Sequence, residues 1–257
     1  MKMIDIHSHI LPSIDDGSKN MENTIEMLQM ASKNGITKMV ATSHFYRGYF
    51  ENKYEDICKL LGEVKAVIIE KGMDVDIFPG QEVFLDKYTL EFYKAGIVGC
   101  INSSRYMLVE FDMESKPKEI FNILYELKIL GVVPIIAHPE RYAYILENPI
   151  AINEFIQERY LLQINSGSIT GIFGKTVQKT AEKLITNGTC HFIASDAHST
   201  GRRCPSIKEA LDVADKLNNE ISSRVMENAQ KILENEDIEY TCEKLKEKKS
   251  IFSFLRK

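Results

Sequence analysis

The sequence predicts an α/β fold: one closed or nearly closed barrel of seven strand–helix units. Three observations carry that expectation. Short apolar runs alternate along the chain with longer stretches of helical period, which calls for a parallel sheet with crossover helices. No Pro/Gly/Ser-rich linker or change of composition divides the alternation, so one barrel is expected rather than two lobes. A chain of 257 residues with 44% hydrophobic content is long enough to bury one large core.

The units follow in order. Residues 3–6 read as a strand and 20–34 as its helix; 38–42 pairs with 53–71, 75–78 with 87–95, and 106–111 with 117–130. The run 132–137 leads to 151–158, 161–165 to 174–187, and 191–195 to 206–217. Gly35 and Gly131 follow predicted helix ends, where the left-handed C-cap conformation suits glycine. After Asn235 the chain turns acidic, crosses the charged run 243–249 and ends in Ile251-Phe252-Ser253-Phe254-Leu255-Arg256-Lys257. The expected division is a barrel over residues 1–240 and a peripheral charged and apolar tail over 241–257.

Composition excludes several classes. A net charge of −5 offers no basic stripe, which disfavours a nucleic-acid partner. The start runs straight into the alternating stretch Ile4-Asp5-Ile6-His7 without a charged n-region, an apolar h-region or a cleavage site, so a cytoplasmic protein is expected. No window holds the roughly eighteen uninterrupted apolar residues of a spanning helix. Cys58, Cys100, Cys190, Cys204 and Cys242 are odd in number and scattered, as reduced thiols in packing roles would be. None is followed six positions later by arginine, so the phosphate loop of thiol-based tyrosine phosphatases is absent and any phosphatase chemistry must use metal.

His7 and His9, His44, Glu82, Glu110, His138, Asp196 and His198 nearly all follow apolar runs. In a parallel barrel the strand C-termini share one face, so these residues converge where such barrels carry out catalysis. Residues two apart on a strand point the same way, which lets His7 with His9, and Asp196 with His198, grip one centre. Five of the six histidines belong to the set; His191, opening the run His191-Phe192-Ile193-Ala194, is assigned to structure. Imidazoles with carboxylates and no thiolates suit manganese, iron or zinc. So many ligands exceed one ion's capacity, which implies a multinuclear cluster with a metal-activated water as nucleophile. Arg141 and Arg203 each follow a predicted ligand by a few residues and are the candidates for bidentate contact with a phosphoryl group, with Arg202 assigned to the surface.

At Asp5-Ile6-His7-Ser8-His9, Thr42-Ser43-His44, Pro79-Gly80-Gln81-Glu82, His138-Pro139-Glu140-Arg141 and Ser195-Asp196-Ala197-His198, the chain resembles the polymerase-and-histidinol-phosphatase (PHP) superfamily. More narrowly it resembles the CpsB/YwqE-type bacterial tyrosine phosphatases, through Asp15-Asp16-Gly17, Ile164-Asn165-Ser166-Gly167-Ser168 and Gly171-Ile172-Phe173-Gly174-Lys175. The resemblance implies a distorted TIM-like (β/α)7 barrel holding three ions, usually manganese, that hydrolyses phosphotyrosine. The implied partner is the tail of a membrane-associated bacterial tyrosine autokinase governing capsule or exopolysaccharide export. By position, His7, His9, Glu82 and Asp196 would hold one ion, Glu82, Glu110 and His138 a second, and Asp16, His44 and His198 a third. Asp15 is the alternative to Asp16. Arg141 and Arg203 match the phosphate-contacting arginines, with Arg202 adjacent to the second.

Other readings are a histidinol-phosphatase-like small-molecule phosphoesterase, a nuclease, and a non-catalytic adaptor. The acidic charge opposes the nuclease, and the intact ligand set opposes the adaptor. In the tail, Lys244, Lys246, Lys248, Lys249, Arg256 and Lys257 flank Ile251, Phe252, Phe254 and Leu255, a pattern suited to weak contact with an anionic membrane. A solubilising end or a segment packed on the barrel is the alternative.

Overall fold

The structure is a computed structural model describing residues 2–116 and 118–246. Its strands are β1 (Met3–Ser8), β2 (Ile36–Ala41), β3 (His44–Tyr46), β4 (Phe50–Glu51), β5 (Asp76–Pro79), β6 (Glu82–Phe84), β7 (Tyr106–Glu110), β8 (Val133–Ala137), β9 (Leu161–Asn165) and β10 (Phe192–Ala194). Among the described residues every strand pairing but the β3–β4 hairpin is parallel. Strands such as β1 and β9 are buried throughout, as expected when helices cover a parallel sheet.

One sheet runs β1-β2-β5 and the other β10-β9-β8-β7-β6-β3-β4. β2 leads directly into β3 and β5 into β6, and because β2 pairs with β5 while β3 pairs with β6, β2 with β3 and β5 with β6 are each the two halves of one interrupted barrel strand. The segments therefore fill seven positions. Beyond β10, a Ser8–Ala197 bridge and hydrogen bonds from the Asp196 N–H to the His7 carbonyl (2.8 Å) and from the His9 N–H to the Ala197 carbonyl (2.8 Å) bring the last position against the first. The result is a distorted (β/α)7 barrel whose last and first strands meet at the His7–His9 end.

The helices are α1 (Met21–Lys33), α2 (Tyr54–Glu70), α3 (Thr89–Lys94), α4 (Ile120–Ile129), α5 (Ala143–Glu147), α6 (Asn153–Gln157), α7 (Ser166–Ile169), α8 (Lys175–Thr186), α9 (Lys208–Leu217) and α10 (Ile221–Glu234). Helix α1 shows the local logic: the Asn20 side chain accepts the Asn23 N–H at its start, and Thr24, Met27, Leu28 and Ala31 make the buried stripe. Gly35 and Gly131 take the left-handed conformation after α1 and α4, at φ of 82° and 84°. Helix α10 is absent from the sequence expectation. It buries Ile221, Val225, Met226, Ala229, Ile232 and Leu233 and lies over β1, where the Ile4 N–H meets the Met226 Sδ.

After α10 the chain follows the barrel. Leu245 is buried, and its N–H and carbonyl bond the Asn153 side chain at 2.7 and 2.9 Å. Of the expected membrane-contacting set, Lys244 bonds Gln157 Oε1 at 2.8 Å and Lys246 is exposed, while Lys248, Lys249, Ile251, Phe252, Phe254, Leu255, Arg256 and Lys257 lie outside the described residues. Among the described residues, no helix is long and apolar enough to cross a membrane. All five cysteines are free.

Candidate active site

The C-terminal end of the barrel gathers the nine expected ligands. His7 and His9 sit at the end of β1, Asp16 in the loop that follows, His44 and Glu82 at the starts of β3 and β6, Glu110 at the end of β7, His138 just after β8, and Asp196 and His198 just after β10. Among the described residues, three groups have ligand atoms within 4.8 Å of one another: His7, His9, Glu82 and Asp196; His9, Asp16, His44 and His198; and His44, Glu82 and Glu110. The first matches the expected quartet. In the third, His44 stands where His138 was expected, its Nδ1 lying 3.3 Å from Glu82 and 3.2 Å from Glu110. His138 is beside it, with Nε2 at 2.9 Å from Glu82 and 3.7 Å from Glu110.

Hydrogen bonding fixes which nitrogen each ring presents. His7 Nδ1 bonds Gln163 Oε1 (2.9 Å), His9 Nδ1 bonds Asp15 Oδ2 (2.9 Å), and His198 Nδ1 bonds the Asp196 carbonyl (2.9 Å). All three partners are acceptors, so each Nδ1 carries the proton and each Nε2 turns a lone pair into the cluster. This is the arrangement in which outer partners orient metal-binding histidines. Asp15 is thus engaged with His9 and with the His44 N–H (3.1 Å), while Asp16 reaches the cluster at 3.5 Å from His44 and 3.4 Å from His198.

The donor set fits divalent ions. An ion with bonds of about 2.1 Å in tetrahedral geometry separates its ligand atoms by about 3.4 Å. His7 Nε2 and His9 Nε2 are 3.3 Å apart, and both lie 3.1–3.5 Å from Glu82 Oε2 and Asp196 Oδ1. His44 Nδ1 and Asp196 Oδ1 are buried without a hydrogen-bond partner, although each has cluster atoms nearby. These two atoms, close to cluster neighbours yet without hydrogen-bond geometry, suit ligands aimed at an ion rather than at each other.

Charge points the same way. Burial works against a charged His9, but Asp15, Asp196 and Glu82 outweigh it and raise its pKa well above 6.5, so the carboxylates draw onto the ring a proton that a bound cation would displace from Nε2. Burial likewise opposes ionisation of Glu82, yet His7 and His44 hold its carboxyl well below the usual range. His198 is pushed down to about 4 by burial and by His9, which leaves its Nε2 lone pair free near neutral pH. A buried nest of carboxylates that stay ionised calls for compensating positive charge.

The backbone is specialised here. His138 and Asp196 are non-glycine residues at φ of 33° and 53°, strain that is stored at functional sites. The Asp15-Asp16 loop packs on His9 only because residue 17 is glycine; a Cβ there would lie 2.1 Å from the His9 carbonyl oxygen.

Arg141 and Arg203 both donate to Asp196 Oδ2, at 3.2 and 2.6 Å, and line a cavity of about 440 Å³ above the cluster. Tyr46, Phe50, Phe84, Phe111 and Met113 supply its apolar lining. Arg202 is exposed and bonds the Ile172 carbonyl. His191 lies elsewhere, accepting the Leu162 N–H at 3.0 Å, and burial drives its pKa down to about 3.

Sequence reasoning passed over Gln163 and the work of Asn165. Gln163 Nε2 donates to Asn165 Oδ1 (2.8 Å), and Asn165 Nδ2 donates to Asp196 Oδ2 (2.7 Å), so an amide relay ties His7 to Asp196. The signal was present: two amides in i, i+2 phase on a wholly buried strand.

Fold and site together define a histidine- and carboxylate-lined (β/α)7 barrel of the PHP type. The model of the capsular polysaccharide synthesis family CpsB/CapC matches residues 3–234, and the chain belongs to that family. It is similar to the tyrosine-protein phosphatase YwqE of Bacillus subtilis, at 34% identity over 92% of this chain and 93% of that one. It is also similar to the tyrosine-protein phosphatase CpsB of Streptococcus pneumoniae, at 33% over 83% and 90%. A solved structure from work on YwqE of B. subtilis and CpsB of S. pneumoniae, described as unique metal-dependent tyrosine phosphatases, aligns with a TM-score of 0.91 at 32% identity, covering 95% of this chain and 100% of that one. Histidinol phosphate phosphatase of Lactococcus lactis shares the fold, at a TM-score of 0.53 and 16% identity over 84% and 94%.

Proposed function

We propose that this chain is a metal-dependent protein-tyrosine phosphatase acting on the phosphorylated tail of a membrane-associated bacterial tyrosine autokinase in capsule or exopolysaccharide synthesis. The observation that carries the reading is the set of Nε2 lone pairs turned inward by acceptors on Nδ1, beneath a cavity with two arginines at its edge. The relatives' printed activity and the capsular description of the family support it.

His7, His9, Glu82 and Asp196 would hold one ion; Glu82 and Glu110 with His138 or His44 a second; and Asp16, His44 and His198 a third. Manganese is assigned, with iron and zinc as the alternatives that the same donors accept. Ions so held would supply an activated water and an electrophilic partner for the phosphoryl oxygens. Arg141 and Arg203, which carry several N–H donors each, pair with the remaining phosphoryl oxygens and stabilise the charge that develops on them. Asp196 keeps both guanidiniums turned toward the cavity. Tyr46, Phe50 and Phe84 provide apolar surface for an aryl ring. A tyrosine leaving group, of pKa about 10, departs with less assistance than the alkoxide of serine. Weak contact of the C-terminal basic residues with an anionic membrane would keep the enzyme beside such a kinase.

The test is a steady-state comparison of the manganese-loaded full chain on a phosphotyrosine peptide, a phosphoserine peptide and histidinol phosphate. The reading predicts the highest kcat/KM on phosphotyrosine. Preferred turnover of histidinol phosphate would replace it with the small-molecule phosphoesterase.

A further inference from the structure

The segment Gly171-Ile172-Phe173-Gly174-Lys175 takes no part in the site described above, yet it carries a ring on which both candidate phosphate arginines rest. The Arg141 guanidinium carbon lies 4.5 Å from the Phe173 ring centroid and that of Arg203 lies 5.9 Å from it. The two arginines line the 440 Å³ cavity, and Phe173 is not among its lining residues. Phe173 instead lines an adjoining pocket of about 110 Å³ with Gly167, Arg202 and Cys204. The ring therefore backs the guanidiniums rather than facing substrate.

Phe173 is itself held in place. The Ile172 N–H bonds the Gly167 carbonyl at 2.8 Å, and the Ile172 carbonyl accepts from Arg202. A Cβ at Gly167 would come 2.9 Å from Phe173 Cε2, so glycine there is what lets the ring approach. Gly171 and Gly174 bracket the segment at φ of 83° and 94°, conformations that side chains resist.

Two like charges converge here on a single carboxylate oxygen, Asp196 Oδ2. Their repulsion favours splaying apart, and an aromatic face attracts cations without competing for the N–H donors that a phosphoryl group needs. We propose that Phe173 is a positioning residue, a cation–π platform that holds Arg141 and Arg203 convergent on the phosphoryl group. The proposal rests on the phosphatase reading for its purpose, but phosphate binding can be measured without turnover.

The experiment compares Phe173→Leu and Phe173→Tyr in the full, manganese-loaded chain, with Phe173→Met taking the place of leucine if that variant does not fold. Calorimetric affinity for inorganic phosphate is read together with metal content and with kcat and KM on p-nitrophenyl phosphate. The leucine variant is expected to retain its metal and to bind phosphate about 3- to 30-fold more weakly, while tyrosine stays near wild type. Combined with Arg141→Ala, the leucine effect should shrink, since the ring then has one arginine fewer to position. Unchanged phosphate affinity in the leucine variant, an equal loss in the tyrosine variant, or an undiminished loss in the Arg141→Ala background overturns the proposal. Wild-type chain that binds phosphate with this dependence but hydrolyses no aryl phosphate would instead refute the phosphatase reading and leave the platform standing.

Discussion

Replacing Gln163 with leucine tests how the barrel prepares its histidines. Gln163 is fully buried, and its Oε1 is the acceptor for His7 Nδ1 at 2.9 Å. Leucine fills a similar volume, so the losses are polar: the acceptor for His7 and the donor to Asn165 Oδ1. A buried N–H left unpaired costs about 1–3 kcal/mol, a factor of about 5 to 150. The ring escapes that penalty by moving its proton to Nε2, which removes the lone pair facing Glu82 and Asp196. Both routes weaken the first metal site, and loss of an outer partner commonly lowers metal affinity by about 10- to 100-fold. Activity titrated against free manganese, with calorimetric binding to metal-stripped chain, should show the midpoint raised by that factor while turnover at saturating metal falls much less. An unchanged midpoint would refute the assignment of Gln163 as the group that fixes His7.

Arg141→Ala should keep its metal and lose about 2–4 kcal/mol of transition-state stabilisation, read as kcat/KM on a phosphotyrosine peptide with metal content alongside; loss of metal would make Arg141 structural. Gly17→Ala forces a Cβ to within 2.1 Å of the His9 carbonyl oxygen, so the Asp15-Asp16 loop must shift; manganese affinity should fall at least tenfold while most of the fold survives in circular dichroism. His191 has a pKa lowered to about 3, by burial first and then by Arg224. Below pH 6.5 the unfolded chain binds a proton that the folded chain refuses, so the contribution of His191 to stability is complete above pH 6.5 and declines at about 1.4 kcal/mol per unit toward pH 3. Urea unfolding at pH 7 and pH 5 should find the advantage of wild type over His191→Asn smaller at pH 5 by about 2 kcal/mol; a pH-independent difference would contradict this.

The histidines were legible because a parallel barrel turns distance in sequence into nearness in space: every strand C-terminus points to one face, so apolar runs ending in His or acid announce a centre. The division of labour within the cluster was not legible. Asp15 and Asp16 are adjacent and chemically alike, and only the packing of Gly17 on His9 determines that the first turns to the His9 Nδ1 and the second to His44 and His198. His44 also confounds a positional assignment, because its two ring nitrogens face different carboxylates. The interruptions between β2 and β3 and between β5 and β6 leave no periodic trace, since β3 and β6, at three residues each, are too short to register. Helix α10 was legible and overlooked: Ile221, Val225, Ala229 and Ile232 repeat at helical spacing.

The claim on which everything else depends is that the strand-end cluster holds the ions that make the protein a phosphatase. Counting manganese per chain while following phosphotyrosine-peptide hydrolysis, as the metal-stripped chain is titrated, tests it in one measurement. No turnover is expected without metal, and activity should rise in step with more than one bound ion per chain. Full turnover by the stripped chain, or activity with the strand-end cluster removed by His7→Ala and Asp196→Ala, would contradict it.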